Sequence, residues 1–299
     1  MRTNEREKAN MNRRRFFMLS ACAIGGRAMA ETPVRWRSRA LGAEVQLTLY
    51  TNATLAGEAI RKTENILKRA EQNFSLYDKT SALCTLNRDK TLRMSADFRS
   101  LLGVAQDIHI ATEGFFDPSV QSIFEYPEEK GEEVRFGSIR LLGDHIILKA
   151  TQSLTFNGIA QGFATDQVRL ALEGLGLSQV LVNMGEYGAV GGPWSLGIAD
   201  PLRGLFEDVT LTDRSIATSS PNALAINGKP HILNPVNLRE AQFSTLSVIS
   251  DTAVVCDALS TGLVYADDRL IQKVVSSSEQ SIEIIGLRMD GQKVHWKTA

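Results

Sequence analysis

In "AEVQLTLY", residues 43–50, Val45, Leu47 and Leu49 alternate with polar positions. A two-residue period puts all three on one side of an extended chain and predicts a strand with one buried face. The period then lengthens. Ile60, Thr63, Leu67, Ala70 and Phe74 recur every three or four residues, one stripe of a helix over 56–74. "SADFRSLLGVAQDIHIATEG" keeps that spacing with Phe98, Leu101, Leu102, Ala105 and Ile108. Ser95 is placed to cap this helix and Gly114 to stop it. "SIRLLGDHIILKA" reads as a hairpin around Gly143 and Asp144. Short apolar runs in "QVLVN" and "WSLGIA" predict buried strands, and "EDVTLT", "STLSVIS" and "SIEIIGLR" predict more. A helix runs to about Leu175, closed by Gly174 and Gly176, and another covers 252–265. Strands mixed with a few long helices, without a repeat or a Pro/Gly/Ser-rich linker, predict an α+β fold in one domain over 31–299.

Composition narrows the classes. The chain has 299 residues and 43% hydrophobic content, enough for a full core. Its net charge of −1 shows no basic footprint for nucleic acid. No internal stretch approaches the roughly 20 apolar residues of a membrane span. Residues 1–30 differ from the rest. "NRRRFFMLSACAIGGRAMA" has a basic start, a mild apolar run and Ala28-Met29-Ala30, the layout of an export signal cleaved after Ala30. Arg13-Arg14-Arg15-Phe16-Phe17 fits the twin-arginine variant, which places the mature protein in the periplasm. "LSAC" resembles a lipoprotein box that would lipidate Cys22, but the apolar run before it is short, and cleavage after Ala30 is favoured. Removing residues 1–30 takes away seven Lys/Arg and two Asp/Glu and leaves a mature chain at −6. Cys84 and Cys256 lie far apart and form neither a disulfide framework nor a metal-ligand spacing; they read as buried thiols.

Four segments carry candidate chemistry. In "NGIAQGFATD", Gly158 and Gly162 open a helix directly after the strand-like "SLTF". Glycine weakens a helix interior by about 1 kcal/mol relative to alanine, so the pair needs a reason. Backbone N–H groups that approach an anion are one reason. A close contact between packed elements is the other, and spacing alone favours it. Neither a Walker loop nor a dinucleotide signature is present. In "VVCDALSTGLVYAD", Asp257 and Thr261 face the same side of a helix and could hold Mg²⁺ together with ligand phosphates; in isolation, helix capping and back-bonding are the stronger explanation. "HILNP" holds His231, a group that accepts a proton near neutral pH, although on its own a histidine before a proline turn reads more simply as a loop residue. "TEGFFDPSV" holds Phe115, Phe116 and Asp117, and "FSLYDKTSALCTLN" holds Tyr77 and Asn87; such aromatics stack on a flat ring or fill a core.

The order of these segments is more specific than any one of them. "LGAEVQLTLY", "FSLYDKTSALCTLN", "TEGFFDPSV", "NGIAQGFATDQV", "LVNMGEYGAVGG", "WSLGIADP", "SIATSS", "HILNP" and "CDALSTGLVYA" together resemble the ApbE family of FAD:protein FMN transferases over about residues 38–288. The resemblance implies an ApbE-like domain with mixed or antiparallel sheets and several packed helices. It implies FAD as substrate and Mg²⁺ as cofactor. FMN would be joined through its phosphate to a Thr or Ser hydroxyl of a partner flavoprotein in the periplasm or at the membrane, and AMP would leave. By position, Asp257 and Thr261 match the metal ligands, with a backbone carbonyl near Gly158. Leu41, Tyr77, Phe115, Phe116, Asp117 and Gln161 match FAD-lining positions; His231 matches both that set and the base for the incoming hydroxyl. The chain departs from the family pattern at Thr155, where a carboxylate is usual, at Gln161 for lysine, at Gly185-Glu186-Tyr187 for G-G-D, and at Asn234 for aspartate. Fewer carboxylates suggest that Mg²⁺ binding depends on FAD. With the export signal, the departures suggest a divergent periplasmic subgroup with a dedicated target, for which the NosX type is one model. Two further readings stay open: a non-catalytic FAD carrier, and an FAD pyrophosphatase in which water replaces the acceptor. Export should leave a mature chain beginning at Glu31, and the N-terminal peptide mass of the exported protein checks this; a lipidated Cys22 at the N-terminus is the contrary result.

Overall fold

Val34–Ala40 (β1) and Ala43–Leu49 (β2) are antiparallel partners, from Val34 opposite Leu49 to Ala40 opposite Ala43. Leu41 and Gly42 turn the chain with φ of 51° and 79°. Two positive φ values in succession make a tight hairpin turn, open to glycine and costly for leucine. Val45, Leu47 and Leu49 are buried, as the alternation predicts. The structure, a computed structural model, describes residues 32–126, 135–223, 225–226, 229–230, 232–236 and 240–298. Residues 1–30 with Cys22, and His231, lie outside the described residues.

Ala53–Phe74 (α1) starts where Asn52 Oδ1 accepts the Leu55 N–H at 3.0 Å, a side-chain cap for an orphan donor. Its buried stripe includes Thr63, Leu67, Ala70 and Phe74, with Ile60 half-buried at its edge. Ala82–Asp89 (α2) and Thr91–Arg93 (β3) follow. Cys84 on α2 is half-buried, not buried as expected, because it lies beside the helix's inward Leu83 and Leu86 rather than on their face. Ala96–Ala111 (α3) is capped by the Ser95 hydroxyl, which accepts the Phe98 N–H at 3.1 Å, and the chain leaves it through Gly114 at φ 86°. Gln121–Glu125 (α4) precedes the expected hairpin of Arg140–Leu142 (β4) and His145–Ile147 (β5), and β5 also pairs β3.

"SLTF" is not a strand. Its Leu154 and Phe156 are buried, which mimics alternation, but its backbone finds no strand to pair with. Asn87 serves instead: its Nδ2 donates to Leu154 O and its Oδ1 accepts the Leu154 N–H, both at 2.8 Å. The Thr155 N–H donates to Pro118 O at 2.8 Å. This irregular stretch leads through Gly158 into Ala160–Glu173 (α5). Val180–Asn183 (β6), Tyr187–Val190 (β7), Trp194–Asp200 (β8), Gly204–Leu211 (β9), Ser215–Ser219 (β10), Ala225–Ile226 (β11), Lys229–Pro230 (β12), Phe243–Ser250 (β13), Ala253–Leu263 (α6), Asp268–Ser277 (α7), Glu283–Arg288 (β14) and Lys293–Lys297 (β15) complete the order.

Among the described residues an eight-stranded antiparallel sheet runs β1-β2-β6-β7-β10-β13-β14-β15. Val180, Val182, Val190, Ala217, Leu246, Val248 and Ile284 face α1, α5 and α6. The residues between them, Leu181, Ala189, Ile216, Ile249 and Ile285, face Trp194, Leu196, Ile198 and Leu211 of the β8–β9 hairpin. Strands covered on both faces read as unbroken apolar runs, which explains "QVLVN". On the helical side, rings of Phe74, Phe98, Phe156 and Phe163 meet with centroids 5.4–6.0 Å apart, joining α1, α3, α5 and the segment before α5.

The α5–α6 contact explains the second glycine. A Cβ on Gly162 would lie 2.4 Å from Ala253 O and 2.8 Å from Val254 Cα. The helix backbone must therefore be bare there. Asp166, one turn on, reaches across: its Oδ1 accepts the Ala253 N–H at 2.8 Å and its Oδ2 the Val254 N–H at 2.9 Å. These are the first donors of α6, which have no partner within their own helix. Gly162→Ala should destabilise the protein by about 1–3 kcal/mol through overpacking, although alanine is the better helix former by about 1 kcal/mol. Asp166→Ala leaves two buried donors unpaired and should cost about 1–3 kcal/mol for each donor that finds no water. Urea unfolding of the two variants checks both values.

Candidate functional site

Asp257 and Thr261 lie one turn apart on the same side of α6, as the four-residue spacing dictates, and both line a cavity of about 870 Å³. Asp257 is 5% exposed, and its Oδ2 accepts the Gly162 N–H at 3.2 Å. That N–H is one of the unpaired donors in the first turn of α5. Thr261 is met by the glycine turn: a Cβ on Gly158 would lie 2.9 Å from its Oγ1 and Cγ2. Glycine at 158 thus lets the backbone close onto the Thr261 hydroxyl.

Glu186 enters from the β6–β7 turn, where Gly185 takes φ 101° and donates its N–H to Asn183 Oδ1 at 3.0 Å. It lines the same cavity, and its buried Oε2 has no hydrogen-bond partner. Burial, and next the charge of Asp257, push the Glu186 carboxyl well above its ordinary range. Burial pushes Asp257 up to about 7, and the Gly162 N–H opposes this. Among the described residues no group of three or more His, Cys, Asp or Glu converges as a complete metal cage.

The cavity also has an aromatic lining. Phe116 is buried, its N–H donating to Thr112 Oγ1 at 3.0 Å and its carbonyl 2.8 Å from His109 Nδ1. Its backbone N would lie 2.9 Å from a Cβ on Gly262, so a third glycine lets α6 pack on this segment. Half-buried Phe115 and 55% exposed Tyr77 line the cleft beside it. Asp117 also lines it, but its Oδ1 is committed to the Ser119 N–H at 2.8 Å and the Ser119 hydroxyl at 2.5 Å. Burial raises its pKa; those bonds and His109 pull it back. Gln161 Nε2 donates to Leu41 O at 3.5 Å, tying α5 to the β1–β2 turn.

Every described residue that the family resemblance places at the site therefore borders one cavity: Leu41, Tyr77, Phe115, Phe116, Asp117, Gly158, Gln161, Asp257 and Thr261. His231 lies outside the described residues; Ile232, Leu233 and Pro235 line the cavity, and the Tyr265 hydroxyl donates to Ile232 O at 2.5 Å. Asn87 is a backbone brace rather than a ring contact. Sequence reasoning missed Asp200, which lines the cavity and accepts from the hydroxyls of Ser244 and Thr245. Burial works against its charge; those bonds, with the N–H groups of Leu202 and Arg203, hold its carboxyl below 3.8. Its hydroxyl partners are more than forty residues away in the chain, a link that no local pattern carries.

A cavity lined both by aromatic rings and by buried carboxylates and hydroxyls suits a ligand with a flat ring and a charged, cation-carrying middle. The chain belongs to the ApbE family, whose model matches residues 41–285. It is similar to the solved flavin transferase ApbE from Vibrio cholerae, with a TM-score of 0.76, 18% identity and coverage of 90% of this chain and 97% of that one. The apo form of the Pseudomonas stutzeri flavinyl transferase ApbE superposes with a TM-score of 0.73 at 20% identity, covering 90% and 95%. The ApbE protein from Thermotoga maritima gives 0.76 at 20% identity, covering 88% and 96%. At these identities the solved structures establish the fold. No curated protein matches the chain.

The carboxyl shifts set a pH dependence. Asp257 has a folded pKa of about 7 against an ordinary 3.8, so the folded state holds a proton that the unfolded chain gives up. Its contribution to stability is complete below about pH 4 and is lost as pH rises through about 7. The thermal midpoint of the metal-free mature chain should fall between pH 5 and 7.5. Asp257→Asn should flatten that fall, which thermal melts across the pH range measure.

Proposed function

We propose that the cleft binds FAD together with a divalent cation, Mg²⁺ in the cell, and transfers FMN to a Thr or Ser hydroxyl of a partner flavoprotein, releasing AMP. The carrying observation is the meeting of the Gly158 turn with Asp257 and Thr261 in the cavity that Phe115 and Phe116 wall. Family membership and the flavin transferase titles of the structural neighbours support the same reading. About 870 Å³ is near the upper end for small-molecule sites and suits a ligand as large as a dinucleotide.

The residues present fit a hard cation. Glu186 Oε2 is buried without a partner, and Asp257 is buried with one N–H. Mg²⁺ favours one or two carboxylates completed by phosphate oxygens and water. Asp257, the Thr261 hydroxyl and the backbone carbonyl at Gly158 would hold it. When bound, it supplies positive charge to the pyrophosphate. The chain's own part is positioning, the main demand of phosphoryl transfer. Phe115 and Tyr77 flank the flat ring, and Gln161 keeps the Leu41 turn against α5. The acceptor hydroxyl oxygen forms a bond to the FMN-side phosphorus. The bond from that phosphorus to the bridging oxygen breaks, AMP leaves with the oxygen, and His231 takes the hydroxyl proton. General base catalysis of this kind contributes about 10²–10⁴-fold. The twin-arginine segment supports a periplasmic reaction, on a periplasmic or membrane-bound acceptor.

The test is one reaction mixture: mature chain, FAD, Mg²⁺ and a candidate acceptor flavoprotein, read by intact mass and by AMP release. Transfer gives an acceptor heavier by one FMN phosphoryl group and one AMP for each modification, and Asp257→Asn should lower the rate at least about a hundredfold. FMN and AMP formed with or without acceptor would make the protein a pyrophosphatase. Tight FAD binding without AMP would make it a carrier.

A further inference from the structure

We infer that Glu186 is a further ligand of the divalent cation, replacing the carboxylate absent at Thr155, so that the cation is taken up before the nucleotide. The inference rests on the reading of Asp257 and Thr261 as cation ligands. Glu186 is 6% exposed and its Oε2 is buried without a partner. Such a group is costly to leave unpaired, and more so when charged; in native proteins an orphan of this kind calls for an unseen water or ion. The position is built to hold the side chain in place. The Met184 N–H donates to Glu186 O and the Gly185 N–H to Asn183 Oδ1, both at 3.0 Å, so the turn is fixed on both sides of Gly185.

The surroundings single out a cation. Glu186 lines one cavity with Asp257, Thr261, Gly158 and Thr155. Asp257 is near enough for the two carboxylates to repel. Among the described residues no lysine, arginine or histidine offsets either charge. Two buried carboxylates and a hydroxyl make a donor set for a hard divalent ion. Thr155 borders the same space and offers only a hydroxyl, which accepts the Asn157 N–H at 3.2 Å. With Glu186 in place the cation no longer depends on FAD phosphates to complete its shell.

The experiment titrates Mn²⁺ into the FAD-free mature chain, with free Mn²⁺ followed by electron paramagnetic resonance. The wild type should bind Mn²⁺ and rise in thermal midpoint with it. Glu186→Gln, alike in shape but uncharged, should weaken binding at least about tenfold, the loss that even an outer-shell partner's removal brings. Its midpoint without metal should equal or exceed the wild type's, since a repelling charge is gone. Glu186→Gly, which removes the side chain altogether, should show the same loss of Mn²⁺ and guards against a folding defect specific to one variant. Loss in Asp257→Asn but unchanged affinity in both Glu186 variants overturns this inference and leaves the proposed function standing. A wild type that takes up Mn²⁺ only with FAD also overturns it. Unchanged binding in Asp257→Asn and the Glu186 variants alike overturns the cation site of the proposed function itself.

Discussion

The N-termini of α5 and α6 are each capped by a carboxylate from the other helix. Asp166 on α5 accepts from Ala253 and Val254, and Asp257 on α6 accepts from Gly162. Both caps need the helices in backbone contact, and only the missing side chain at Gly162 permits that distance. The arrangement is self-consistent: separation would expose buried donors on both helices at once. Asp257 also borders the cleft, so the contact that fixes the fold fixes the site.

The buried carboxylates divide by how well they are satisfied. Asp166 has two backbone donors, with Arg169 close by. Asp200 has two hydroxyls and two N–H groups. Asp257 has one N–H, and Glu186 Oε2 has none. The first two brace walls; the last two face one another's charge in the cavity. A chain that folds around such repulsion gives up stability at the place where it binds, and a ligand that neutralises the pair returns it by mass action.

Two more glycines set the shape of the cleft. Gly158 brings the turn before α5 onto Thr261, and Gly262 brings α6 onto Phe116. The aromatic wall continues the core, since Phe116 is buried and Phe74 joins the ring cluster while bordering the cavity. The rigidity of the cleft on that side is the rigidity of packed rings.

Much of this was legible one segment at a time. Alternation at Val45, Leu47 and Leu49, the stripe from Thr63 to Phe74 and the caps at Ser95 and Gly114 are local, set by helix and strand periods and by which side chains reach an orphan N–H. The same four-residue arithmetic put Asp257 and Thr261 on one side of a helix. "SLTF" misled because polar and apolar residues alternate there while the backbone is served by Asn87, and periodicity does not report hydrogen-bond partners. The order of motifs named the family. It could not say why Gly162 is glycine, because the atom it avoids is Ala253 O, ninety residues on. It could not give Asp200 or Glu186 a role, because the charge and hydroxyls they meet arrive from other strands and helices. Sequence determined the elements, since their causes lie within a few residues. The tertiary structure alone decided which carboxylates are paid in hydrogen bonds and which are left bare, since desolvation and Coulomb forces depend on distance in space and not along the chain.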